Sequence, residues 1–98
     1  MLMIMEYQAE IYTKTTCKYC NLAKKLLAER NISYREYIIG GDPAMLMENQ
    51  QVATRENLLE RYPEARAVPQ IWLDGQHIGG FEELEKHFAG VDRQENHQ

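Results

Sequence analysis

The sequence predicts a one-domain α/β protein whose central, four-stranded mixed sheet is flanked by helices. Three observations support this. A strand, an amphipathic helix and a second strand follow one another from Gln8 to Ile39. A further strand, a tight turn and a returning strand run from Val68 to Ile78. The chain has 98 residues, room for one hydrophobic core and no second. One helical crossover makes the first two strands parallel, and a two-residue turn makes the last two antiparallel.

Gln8 to Thr13 places Ala9 and Ile11 on one side and adds the strand-favouring Tyr12 and Thr13. After Cys17, Leu22, Ala23, Leu26 and Leu27 recur at helical spacing, with Asn21, Lys24, Lys25 and Glu29 on the other face. Asn31 stops this helix, and Ile32 to Ile39 forms the second strand. In Gly40-Gly41-Asp42-Pro43, Asp42 caps and Pro43 begins a helical segment that runs to about Gln51. Thr54 caps another helix, with Leu58, Leu59 and Tyr62. Val68 to Leu73 is the third strand, Asp74-Gly75 a hairpin turn, and Gln76-His77-Ile78 the fourth strand. Gly79-Gly80 breaks it before a last helix marked by Phe81, Leu84 and Phe88. Gly90 ends that helix, and Val91 to Gln98 is expected to be a frayed tail.

Hydrophobic residues make up 44% and charged residues 27%, ordinary values for a folded globular domain. Eleven Lys and Arg against fifteen Asp and Glu give a formal charge of -4, the wrong sign for binding nucleic acid by neutralising phosphates. The apolar start Met1-Leu2-Met3-Ile4-Met5 is too short for a membrane span and lacks the leading basic residues of a secretory signal. A cytoplasmic protein is expected.

The two cysteines form the motif Cys17-Lys18-Tyr19-Cys20, at the point where the first strand gives way to the first helix. Unpaired backbone N–H groups and the positive end of the helix dipole stabilise a thiolate at Cys17, as do Lys14 and Lys18 if they lie nearby. In such settings a cysteine pKa falls from about 8.5 to roughly 3.5–7.5. Cys20, one turn further in, is more buried and suited to resolving a mixed disulfide on Cys17. Two other uses of the pair stand beside this one. Zinc would need more ligands, and the chain has no second cysteine pair, while His77, His87 and His97 are too widely spaced. Packing of both thiols as small hydrophobes is opposed by the polar flank Lys14-Thr15-Thr16.

Four separated features point to one family. They are Ile11 to Cys20 as first strand and active-site motif; Val68-Pro69-Gln70-Ile71-Trp72-Leu73 as a proline-led strand; His77 to Leu84 as a glycine pair opening a last helix; and Arg66 just upstream of Val68. On these the sequence resembles a dithiol glutaredoxin, a branch of the thioredoxin fold, from about Gln8 to Gly90. Lys18 stands where most members have proline. Asp42 to Glu64 is longer than in the shortest bacterial members and similar to phage-type glutaredoxins.

The resemblance implies a thioredoxin-like fold and a glutathione-dependent disulfide oxidoreductase, with Cys17 as the nucleophile and Cys20 resolving. It implies that Lys14 and Arg66 pair with the glycine carboxylate of glutathione and that Tyr19 lines the groove beside the sulfur. A cis Val68-Pro69 bond would let the Val68 backbone pair with the cysteinyl residue like an added strand. Gly80, Phe81 and Glu82, at the start of the last helix, would hold the γ-glutamyl end, with Glu82 or Glu83 beside its amine. Glutathione is then a co-substrate and no metal is expected. Clients would be disulfide-containing or glutathionylated proteins, ribonucleotide reductase among them, served by a monomer without nucleic acid or membrane. The compartment would be the cytoplasm, the host's if the gene is a phage's. The alternatives are a redoxin reduced by thioredoxin reductase, and an iron–sulfur carrier in which Cys17 and glutathione ligate a cluster.

Overall fold

Alternation along the strands divides the apolar residues between the two faces of the sheet, and helices cover both. The computed structural model describes residues 7–95, with side chains through residue 92. In chain order the elements are β1 (Ala9–Lys14), α1 (Lys18–Glu29), β2 (Tyr34–Ile39), a 3-10 turn (Pro43–Met45), β3 (Gln50–Ala53), α2 (Arg55–Arg61), β4 (Gln70–Leu73), β5 (Gln76–Gly79) and α3 (Phe81–Glu95). The sheet order is β3-β2-β1-β4-β5. Strands β1, β2 and β3 run parallel, while β4 is antiparallel to both β1 and β5.

On one face Ala9, Ile11, Ile71 and Leu73 pack against Ala23 and Leu27 of α1 and Leu84 and Phe88 of α3. On the other, Tyr12, Ala53 and Trp72 pack with Leu58 of α2 and Ala65. The sheet is thus a layer between two helical layers. Among the described residues no helix is long and apolar enough to cross a membrane.

Local sequence accounts for the element ends. Asn31 takes φ 59°, and the N–H groups of Asn31 and Ile32 bond the carbonyls of Ala28 and Leu27, the double closure of a Schellman motif. Asp74 and Gly75 have φ 51° and 83°, as a type I′ hairpin requires. Thr54 and Asn57 exchange side-chain and backbone bonds of 2.9 and 3.0 Å, a capping box that starts α2.

Two expectations are corrected. Asp42 does cap Ala44 at 2.9 Å, with Pro43 at the first position, but only one 3-10 turn follows. Gln50–Ala53 is then a fifth strand, paired with β2, where a helix to about Gln51 was expected and four strands in all. The cause lies across the sheet: Gln50 donates to the buried Glu36 at 3.0 Å, fixing the segment to the edge of β2. Gly90 does not end α3, which continues to Glu95. Arg30, at the end of α1, holds Asp92 through two bonds of 2.9 and 2.5 Å and lies 4.5 Å over the Phe88 ring. That anchor draws helix from the segment expected to fray. Residues 96–98 of the expected tail, and the apolar run at residues 1–5, lie outside the described residues.

Candidate active site

β1 ends at Lys14, and three residues later Cys17 begins α1 as its N-cap, in extended backbone conformation. The side chain of an N-cap faces the free N–H groups of the first turn. Here the Cys17 sulfur accepts from the Cys20 N–H at 3.2 Å. A donor at that position, together with the positive helix end, is placed to stabilise negative charge on the sulfur once the bridge is reduced. Cys17 and Cys20 are joined by a disulfide, their Cα atoms 5.2 Å apart. Cys20 is 1% exposed, and Cys17 is partly exposed. A substrate can therefore reach the first sulfur and not the second.

The Val68-Pro69 peptide bond is cis. The loop carrying it faces the disulfide, with the Val68 carbonyl oxygen 3.9 Å from Cys17 Sγ. Among the described residues the Val68 N–H takes no partner in the protein. An unpaired backbone donor and acceptor beside a reactive sulfur form a short template for an extended peptide.

Two groups of side chains flank this template. Lys14, Arg66 and Val68 line one cavity of about 110 Å³, floored by Leu58 and Ala65. Arg55, which sequence reasoning missed, lines it too. Nothing local to Arg55 distinguishes it from any exposed residue in the first turn of a helix. On the other side Tyr19, 55% exposed, brings its ring to 6.1 Å from that of Phe81, so the starts of α1 and α3 meet. Lys18 leans over the Tyr19 ring at 5.8 Å.

At the start of α3, Gly80 lies beside the cis-proline loop, where an added Cβ would make ordinary contact with the Pro69 carbonyl oxygen at 3.4 Å. Glu82 is exposed in the first turn. Glu83 turns back so that its carboxylate accepts the Gly80 N–H at 2.9 Å. Hydrogen bonds from its own N–H and that of Gly80 hold its pKa below the ordinary glutamate value. An acidic residue three positions after the helix cap was the available signal for this role. No group of three or more His, Cys, Asp or Glu side chains among the described residues is placed to hold a metal ion.

The glutaredoxin family model matches residues 9–78. Glutaredoxin 3 of Escherichia coli K12 is 43% identical over 75 residues, covering 76% of this chain and 78% of the relative. The chain belongs to the glutaredoxin family. A probable glutaredoxin of Synechocystis is 37% identical over 82 residues, covering 84% of this chain and 83% of that one. Glutaredoxin 1 of Francisella tularensis, solved with cacodylate, superposes with a TM-score of 0.63 at 32% identity, covering 87% of this chain and 95% of its own. A buckwheat glutaredoxin–glutathione complex gives 0.64 at 27% identity, covering 86% and 71%. The thioredoxin-like fold is thus shown, with five strands. As a glutaredoxin the protein is a thiol–disulfide oxidoreductase, and Cys17 and Cys20 are its redox pair.

Proposed function

We propose that this glutaredoxin takes its electrons from glutathione and reduces both protein disulfides and glutathione mixed disulfides. The observation that carries this is the Cys17 sulfur, held at a helix N-cap and facing the free backbone of Val68 beside a cavity lined by three cations. Glutathione is a small peptide with a carboxylate at each end and a thiol between them, and each part meets a suitable group. Lys14, Arg55 and Arg66 take the glycine carboxylate. Val68, presented by cis Pro69, pairs with the cysteinyl residue, and Tyr19 covers its sulfur. The N–H groups of Phe81 and Glu82, next to Gly80, take the γ-glutamyl carboxylate at the start of α3, with the Glu82 side chain near its amine. That a buckwheat relative was solved with glutathione supports the assignment.

The steps follow from the exposure of the two sulfurs. The Cys17 thiolate attacks a substrate disulfide, forming a bond to one sulfur and releasing the other as a thiolate. Cys20 loses its proton and attacks Cys17, releasing the second substrate thiolate and closing the bridge. One glutathione thiolate opens that bridge at Cys17, and a second attacks the bound glutathione, leaving glutathione disulfide and the dithiol. Two electrons pass in all. When the substrate is itself a glutathione mixed disulfide, Cys17 alone suffices. Ribonucleotide reductase is one client of the two-cysteine, protein-disulfide route, and the cytoplasm, with its reducing glutathione pool, is where the monomer works.

Two variants test this in an assay coupled to glutathione reductase. Cys17→Ser abolishes reduction of protein disulfides and of glutathionylated peptide. Cys20→Ser abolishes the first and retains the second. Loss of both in Cys20→Ser would contradict the assignment, and turnover with thioredoxin reductase but not with glutathione would replace it.

A further inference from the structure

Residues behind the cis-proline loop fix the direction in which Val68 points. Gln70 opens β4, one position after Pro69, and its side chain folds back along the loop. Its Nε2 donates to the Ala67 carbonyl at 2.9 Å. Its Oε1 lies 2.8 Å from His77 Nε2 on β5. Because an amide oxygen only accepts, His77 must carry a proton on Nε2. The His77 ring is itself gripped, its centroid 4.1 Å from that of Tyr62 and 4.8 Å from that of Trp72. The Gln70 amide is thus bonded at both ends, to the loop at Ala67 and to β5 at His77.

The consequence follows from peptide geometry. The Ala67 carbonyl and the Val68 N–H belong to the same planar unit, and in a trans unit they point in opposite directions. The only cis bond among the described residues is the next one, Val68-Pro69. A bond that draws the Ala67 oxygen toward Gln70 therefore turns the Val68 N–H away from Gln70. Without that bond the unit could rotate about its flanking single bonds, and the donor would be held less firmly.

We propose that Gln70 and His77 are positioning residues that lock the Val68 N–H in the direction from which it grips the cysteinyl backbone of bound glutathione. This rests on the glutathione site proposed above. His77 orients Gln70, and Gln70 orients the peptide, while both side chains also line a groove with Arg66 and Gly80. The pair needs no charge, since neutral histidine donates through Nε2, and burial holds the His77 pKa below its ordinary value.

The test uses Gln70→Met, which keeps length and shape without either bond, and His77→Phe, which keeps a ring between Tyr62 and Trp72 but no donor. In the full two-cysteine protein, Gln70→Met is expected to raise KM for a glutathionylated peptide about five-fold, the worth of one hydrogen bond, with kcat moving less than two-fold. His77→Phe changes KM in the same direction by less. The direct readout is the amide resonance of Val68 in Cys20→Ser protein glutathionylated at Cys17. Glutathionylation shifts this resonance in the parent background and shifts it by less than half as much with Gln70→Met. An unchanged KM and an undiminished shift in both variants would overturn the positioning role and leave the glutathione site standing. No shift in the parent background would overturn the site itself, and the proposal with it. If Gln70→Met fails to fold by its thermal midpoint, His77→Phe decides by the same measures.

Discussion

Lys14, Arg55 and Arg66 stand on a strand end, a helix start and a loop, yet all three line one cavity. Gathered cations repel each other, and an anion entering among them relieves that repulsion as it gains its own contacts. Arg55 is therefore expected to bind substrate rather than to support the fold. Arg55→Ala raises KM for a glutathionylated peptide about five- to ten-fold, as loss of a charge-assisted bond would, and leaves the thermal midpoint nearly unmoved. Arg55→Lys restores part of the loss. Steady-state kinetics check this, and an unchanged KM would remove Arg55 from the site. Lys14 and Arg66 were named from the sequence through the family resemblance, and both line the cavity. Arg55 was not, since its approach to Lys14 depends on β3 pairing beside β2 and feeding α2. Glu82 and Glu83 were both visible as acids near a helix start, and the sequence left open which of them faces the ligand. Only the bond to Gly80 separates their roles.

At the scale of elements, strands with clear alternation and turns with Asp-Gly or Asn were legible, and the edge strand β3 was not. Gln50-Gln51-Val52-Ala53 has neither strict alternation nor a run of β-branched residues, and a good helix cap precedes it at Asp42. What makes it a strand is the buried carboxylate of Glu36, 3% exposed, which accepts from Thr13, Lys24 and Gln50 at 2.7, 3.0 and 3.0 Å. That carboxylate ties β1, α1 and β3 to β2. Burial alone would raise its pKa, but the bonds from Gln50, Thr13 and Lys24, with the charge of Lys24, outweigh burial and set it below the ordinary glutamate value. A carboxyl with a lowered pKa in the folded state stabilises the fold above its unfolded pKa, and that contribution is lost as pH falls through the folded value. Glu36→Gln should therefore cost about 1–3 kcal/mol at neutral pH. The gap between variant and parent should narrow below pH 4.5. Urea denaturation at a series of pH values measures it. A gap that stays constant into acid would show that Glu36 acts by shape and not by charge.

Over the whole molecule, two opposing fields reach an incoming anion. The chain has a net charge of -4, yet three cations line the cavity beside the template. Their ranges differ. With a radius of gyration of 14.1 Å, the overall negative charge acts at a distance only when the Debye length exceeds the molecule's own size, about 30 Å at 0.01 M salt. At about 0.1 M the Debye length is near 10 Å, so distant repulsion is screened while attraction inside the cavity persists. At about 1 M it falls to 3 Å and the local attraction goes too. The value of kcat/KM for an anionic glutathionylated peptide should therefore rise and then fall as salt increases, passing through a maximum near 0.1 M. An uncharged small disulfide should show neither limb. Arg55→Ala should flatten the falling limb and leave the rising one, because it removes local attraction without abolishing the net charge. Stopped-flow rates across that range of sodium chloride separate the cases. A monotonic decrease would mean that the cavity outweighs the net charge at every range. Identical curves for charged and uncharged substrates would mean that the cations do not meet the substrate at all.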